Sequence, residues 1–190
     1  PGKEYEFIFH LVETDPSKPK AVPFEIATIK GGKYLQVNFI AEVIDPNSKV
    51  TIQKVPFQRA TTYKTEKMGN SRVGDLIRTL GLQAQYEDAL RSTGSANAAV
   101  TTVLQAVTGR ALGHATFLWR RGFEDPNGKV SNAAKTKTYT TYSSRPNTKG
   151  GELPWPRNGS GIYADTVTNP VNGEDVFANA EVDNFRIPKQ

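Results

Sequence analysis

Rings and cations recur from Ala111 to Tyr142 at the two-residue spacing of an extended strand, which makes this stretch the part of the chain best suited to chemistry. In such a strand Ala115, Phe117, Trp119, Arg121 and Phe123 share one face, and the returning strand of a hairpin aligns Lys135, Lys137 and Tyr139. Flat rings mixed with cations are what a single-stranded nucleic acid requires. A base stacked on an aromatic face contributes roughly 1–3 kcal/mol, while Lys and Arg neutralise phosphates and release their counterions. Trp119, Phe123 and Tyr139 are therefore the candidate stacking rings, with Arg120, Arg121, Lys135 and Lys137 as candidate phosphate contacts. Tyr34, Arg59, Tyr63 and Lys64 form a second tier. Arg120 and Arg121 point to opposite faces of an ideal strand, so both line one groove only if a bulge intervenes. A second reading fits the alternation equally well: Phe117 and Trp119 are core side chains and the cations belong to a solvated face, since a period of two does not tell inside from outside.

Catalytic chemistry finds little support in the same residues. His10 and His114 lie far apart, without the short spacing of metal-ligand pairs, and read as strand surface or satisfied core groups. Gly122 to Lys129 imitates a phosphate loop, but five residues separate its glycines and Val130 stands where Ser or Thr is needed. A hairpin connection is expected there instead. Glu124 with Asp125, and Glu174 with Asp175, sit in turn-forming contexts where solvation is the ordinary fate of a carboxylate. Pro1 offers a secondary amine, a nucleophile in some enzymes, with no partner group to set beside it. The expectation is a binding protein, not an enzyme, that carries neither metal nor cofactor.

Composition narrows the partners. The 190 residues include 24 Lys plus Arg against 19 Asp plus Glu, a net charge of +5 and a pI near 9.4, which favours a polyanion without requiring one. Cysteine is absent, which removes disulfides, thiolate metal sites and thiol nucleophiles together and suits a reducing cytoplasm. No apolar run approaches the roughly 20 residues that span a bilayer, so a soluble chain with no membrane partner is expected. Asn158-Gly159-Ser160 matches a glycosylation acceptor and reads as a chance match in a turn-rich region.

The elements that must position the hairpin look like a barrel interrupted by helices. Tyr5, Phe7, Phe9 and Leu11 alternate with polar neighbours, as do Leu35, Val37, Phe39, Ala41 and Val43, and Val50 to Phe57 offers a third strand. At Val73 the period changes. Val73, Leu76, Ile77 and Leu80 predict one helix closed or kinked by Gly81, and Ala96, Ala99, Val100, Val103, Leu104 and Val107 a second that starts at Ser95 and is capped near Gly109. From Ser143 the chain turns to Pro, Gly, Asn and Ser, an ordered wrap or a tail in which Trp155, between two prolines, reads as an anchor. Val182 to Ile187 predicts a last strand. The expected organisation is a barrel over 1–142 with a helical insertion at about 73–108, followed by a Pro/Gly-rich region over 143–190.

This order, with Gly2-Lys3-Glu4-Tyr5-Glu6-Phe7, Gly32-Lys33-Tyr34-Leu35-Gln36-Val37, Leu76-Ile77-Arg78-Thr79-Leu80-Gly81-Leu82 and Gly109-Arg110-Ala111-Leu112-Gly113-His114-Ala115, resembles the phage-encoded single-stranded-DNA-binding proteins of the OB-fold type. The resemblance covers about two thirds of the chain. It implies an OB-type β-barrel, single-stranded-DNA binding without strong sequence preference in phage replication or recombination, a bacterial cytoplasm, and replication or recombination proteins or a second copy as further partners. The chain departs from the pattern in its long helical region, its elaborate region after Ser143, and the absence of an acidic end at Pro188-Lys189-Gln190. A rival expectation is a virion or assembly protein whose rings anchor protein contacts.

Overall fold

The computed structural model describes residues 1–19, 21–29, 31–62, 71–131 and 137–187; Tyr63, Lys64 and Lys135 lie outside this set. The protein is mainly β, with β1 (Glu4–Leu11), β2 (Phe24–Ile29), β3 (Gly32–Ile44) and β4 (Thr51–Thr61) before three helices, α1 (Arg72–Thr79), α2 (Gln83–Thr93) and α3 (Ala96–Val107). After them come β5 (Leu112–Glu124), β6 (Val130–Ser131), β7 (Thr138–Ser143), β8 (Leu153–Pro154), β9 (Thr166–Thr168), β10 (Asp175–Phe177) and β11 (Asn179–Arg186). None of the described helices is long and apolar enough to cross a membrane. Two compact units divide the chain: Glu4–Thr116 with Asn184–Gln190, and Pro1–Lys3 with Phe117–Asp183. The division falls within β5 and not at 142/143, where composition changes.

In the first unit, strict alternation builds the core. Phe7 and Phe9 on β1 and Val37, Phe39 and Ala41 on β3 are all 0% exposed, and Phe39 meets both Phe9 and the β11 ring Phe185. β3 is long enough to carry β4 on one side and, end to end on the other, β2 and β1. β1 continues the sheet to β5 by placing Phe7 opposite Gly113. A Cβ at Gly113 would lie 2.5 Å from the Phe7 ring, so this crossing needs glycine. No ladder among the described residues joins β4 to β5, and the sheet stays open where a closed OB-type barrel was expected.

The helices follow their sequence signals. Ser71 caps α1 by accepting from the Gly74 N–H at 2.8 Å, and Gly81, at φ 69°, ends it with bonds from Gly81 N–H to Arg78 O and from Leu82 N–H to Ile77 O. α3 starts just after Ser95, where the helix was expected to begin, and the Ser95 side chain caps it by accepting from the Ala98 N–H. α2 and the edge strand β2 are additions to the expected order.

The second unit contains the far half of β5, its hairpin partners β7 and β6, and β8 on β7. Its small core is Phe123, Trp155 and Val167, with Trp119, Tyr142, Tyr163, Val176 and Ala178 packed against it. Trp155 is 3% exposed and donates from Nε1 to Ala164 O at 2.8 Å, which makes it the anchor that the flanking prolines suggested.

Candidate nucleic-acid interface

Register, not alternation, sorts the hairpin residues. β5 and β7 pair antiparallel with Arg121 opposite Tyr142, Gly122 opposite Thr141, Phe123 opposite Thr140 and Glu124 opposite Tyr139. Directly opposed residues share a face. Trp119, Arg121 and Phe123 therefore go with Tyr142, whereas Tyr139 shares its face with Arg120, Gly122 and Glu124. The expected alignment of Lys137 and Tyr139 with Trp119 does not occur, because the observed pairing lies one residue away from the one that would bring Tyr139 to the Trp119 face.

The first face is the core of its unit. Phe123 is 7% exposed, and Trp119 packs edge-on against Trp155 at 5.9 Å and tilted against Tyr163 at 6.2 Å. Arg121 lies over the Phe123 ring at 5.9 Å and donates to Asn179 Oδ1 at 2.9 Å. Rings packed this way have their faces covered by protein.

The opposite face is exposed only in part, since Thr141 and Ser143 on β7 are 8% and 1% exposed. Gly122 is exposed and leaves bare backbone between Arg120 and Glu124, bordered across the ladder by Thr141 and the half-buried Tyr139 ring. Lys137 donates to Glu124 Oε2 at 2.7 Å, and this hydrogen bond raises the ammonium above its ordinary value, so it stays charged throughout the neutral range. Arg120 is bound to Glu152 and lies 3.5 Å from Glu181. Water screens an ion pair as exposed as Lys137 with Glu124 and leaves it weak enough for a phosphate to replace the carboxylate.

Of the second tier, Tyr34 and Arg59 belong to the first unit and point to the outer face of its sheet, Tyr34 opposite Ala27 and Arg59 opposite Asn38. Arg59 is exposed, with no ion pair among the described residues. The same outer face borders a cleft of about 970 Å³ over Ile40, rimmed by Lys18 and Lys54 but also by Glu13 and Asp15. Its two lysines are matched in number by its two carboxylates. His10 there is held by Glu42 at 2.7 Å, and Glu42 also accepts from Thr51 at 2.5 Å. Among the described residues no three His, Asp or Glu side chains gather as a metal site.

No family model matches the sequence, no curated protein is similar to it, and no solved structure matches its fold. Two residues of the hairpin face lacked a signal in the sequence. Gly122 looks like half of a loop motif until its strand neighbours are known, and Arg145 sits among turn-forming residues whose composition reads as a wrap.

Proposed function

We propose that the chain binds single-stranded DNA without strong sequence preference, through the hairpin face that presents Tyr139, Arg120 and Lys137 around Gly122. The observation that carries this reading is the β5–β7 register, which puts Tyr139 with Arg120, Gly122 and Glu124 and away from the buried ring cluster, while Lys137 is bonded to Glu124 on that side. A base lies on the Tyr139 ring over the glycine gap while the cations take flanking phosphates. The first unit, which carries the second-tier residues Tyr34 and Arg59, we read as an opened relative of the OB-type barrel. A role in phage replication or recombination follows from the resemblance alone.

Fluorescent oligo(dT), titrated against duplex of equal length at several salt concentrations, tests the reading. Single strands should bind more tightly, and three to five neutralised phosphates should give a log–log salt slope of roughly −2 to −3.5. Equal affinity for duplex would refute it. The assembly-protein reading has its own support in Phe177 and Ile162, exposed at 72% and 64%. Contacts through such apolar side chains would hold at high salt, where phosphate contacts fail.

A further inference from the structure

The hairpin face ends in a cavity of about 370 Å³ between Arg120 and Arg145, floored by Leu118 and Ser143. That is room for about one nucleotide's sugar and phosphate, and its two arginines are held in different ways. Glu152, 8% exposed, binds Arg120 with one oxygen and accepts the Asn147 backbone N–H at 2.7 Å with the other, so the guanidinium is fixed from below. Glu181, by contrast, stands 3.5 Å from Arg120 with its side chain 41% exposed. Arg145, 69% exposed, donates from Nη1 to both oxygens of Asp183 at 2.9 and 2.8 Å. Arg120 thus faces one carboxylate open to solvent, while the Asp183 side chain is 17% exposed beside the solvent-facing Arg145, and paired oxygens are what a guanidinium fork also finds in a phosphodiester.

We infer that this cavity is an additional anion subsite, taking one phosphodiester of a bound single strand between Arg120 and Arg145, with Glu181 and Asp183 as the internal counter-ions that it displaces. The inference rests on the single-stranded-DNA reading and adds Arg145, from the region after the hairpin, to the binding surface. Glu152 is a positioning residue, since it holds Arg120 and stays buried.

The two halves of the Arg145–Asp183 pair should act with opposite sign, which a purely structural ion pair does not do. In oligo(dT) titrations of the full chain, Arg145→Ala should weaken binding several-fold and flatten the salt slope by about 0.7. Asp183→Asn should tighten binding several-fold, because the phosphate no longer competes with a fixed carboxylate. If Asp183→Asn does not fold, as thermal melts will show, Glu181→Gln carries the same expectation. Wild-type affinity in both Arg145→Ala and Asp183→Asn, or weaker binding in both, overturns the subsite. Tyr139→Ala separates the two levels: if it weakens binding while the Arg145 and Asp183 variants are silent, the subsite fails and the reading stands. A wild-type chain that binds no single strand removes both.

Discussion

Trp119 and Tyr139 lie on adjacent strands of one hairpin and should respond to truncation in opposite ways. Trp155, almost wholly enclosed with its indole N–H bonded, should cost about 3–5 kcal/mol of stability as Trp155→Ala in a denaturant melt. Trp119→Ala should destabilise by less, since the ring is only half buried, and its folded fraction should bind oligo(dT) much as wild type does. Tyr139→Ala should reverse the pattern, losing about 1–3 kcal/mol of single-strand affinity with its melting curve nearly unchanged. A Tyr139 variant that melts early and binds normally would move the ring from interface to packing. Glu42 allows a test through pH. Hydrogen bonds from Thr51 and then His10 lower its carboxyl below the usual 4.5, so its contribution is present above that value and is lost as the pH falls through the folded one. Melts at pH 7 and pH 3 should therefore show a smaller acid loss for Glu42→Gln than for wild type.

At the scale of the element, short-range signals and long-range pairing act on different features. Ser71 and Gly81 fix the ends of α1 by hydrogen bonds made within a few residues, so Ser71→Ala should cost about 0.5–2 kcal/mol in chemical denaturation. Such ends are legible in sequence because the capping atoms are neighbours in the chain. β2 is not. Its six residues owe their strand conformation to β3, which pairs Phe24 with Val37 and Ile29 with Gly32, and Ile26, 57% exposed, gives no clean alternation to detect. Gly113 matters for a contact equally distant in sequence. Gly113→Val should destabilise the β1–β5 crossing by on the order of 1–3 kcal/mol, by driving a side chain into Phe7 and Leu80. Equilibrium unfolding of this variant beside Gly161→Ala, a turn glycine with open space around its Cβ, separates the steric effect from the conformational one.

For the whole molecule, the two units divide the work that the sequence assigned to one barrel and a tail. Residues Phe117–Asp183 enclose their own aromatic cluster, so the region after Ser143 supplies core through Trp155 and Val167 and counter-ions through Glu152, Glu181 and Asp183. Removing residues 144–183 should therefore do more than shorten the chain: it exposes Trp119 and Phe123, takes away Arg145 and strips Arg120 of Glu152 and Glu181. Flattened near-ultraviolet circular dichroism from the rings that remain, together with dye binding to newly exposed apolar surface, is the expected outcome. Near-native signals in the shortened protein would contradict the enclosed cluster.

By itself the sequence determined which residues share a face within each strand and the approximate extents of α1 and α3, though not the existence of α2, because those properties depend on backbone periods and on atoms a few residues apart. Phe7 with Phe9, Val37 with Phe39, the helix start at Ser95, the helix end at Gly81 and the mainly β character were legible for that reason. The tertiary structure alone decided which face of the hairpin is buried and which residues meet across it. A shift of one residue in register exchanges the faces of a whole strand, and the pairing of Glu124 with Tyr139 sends Tyr139 to Arg120 and away from Trp119. Burial of the Trp119 side then depended on Trp155, a residue 36 positions later whose docking no local period encodes.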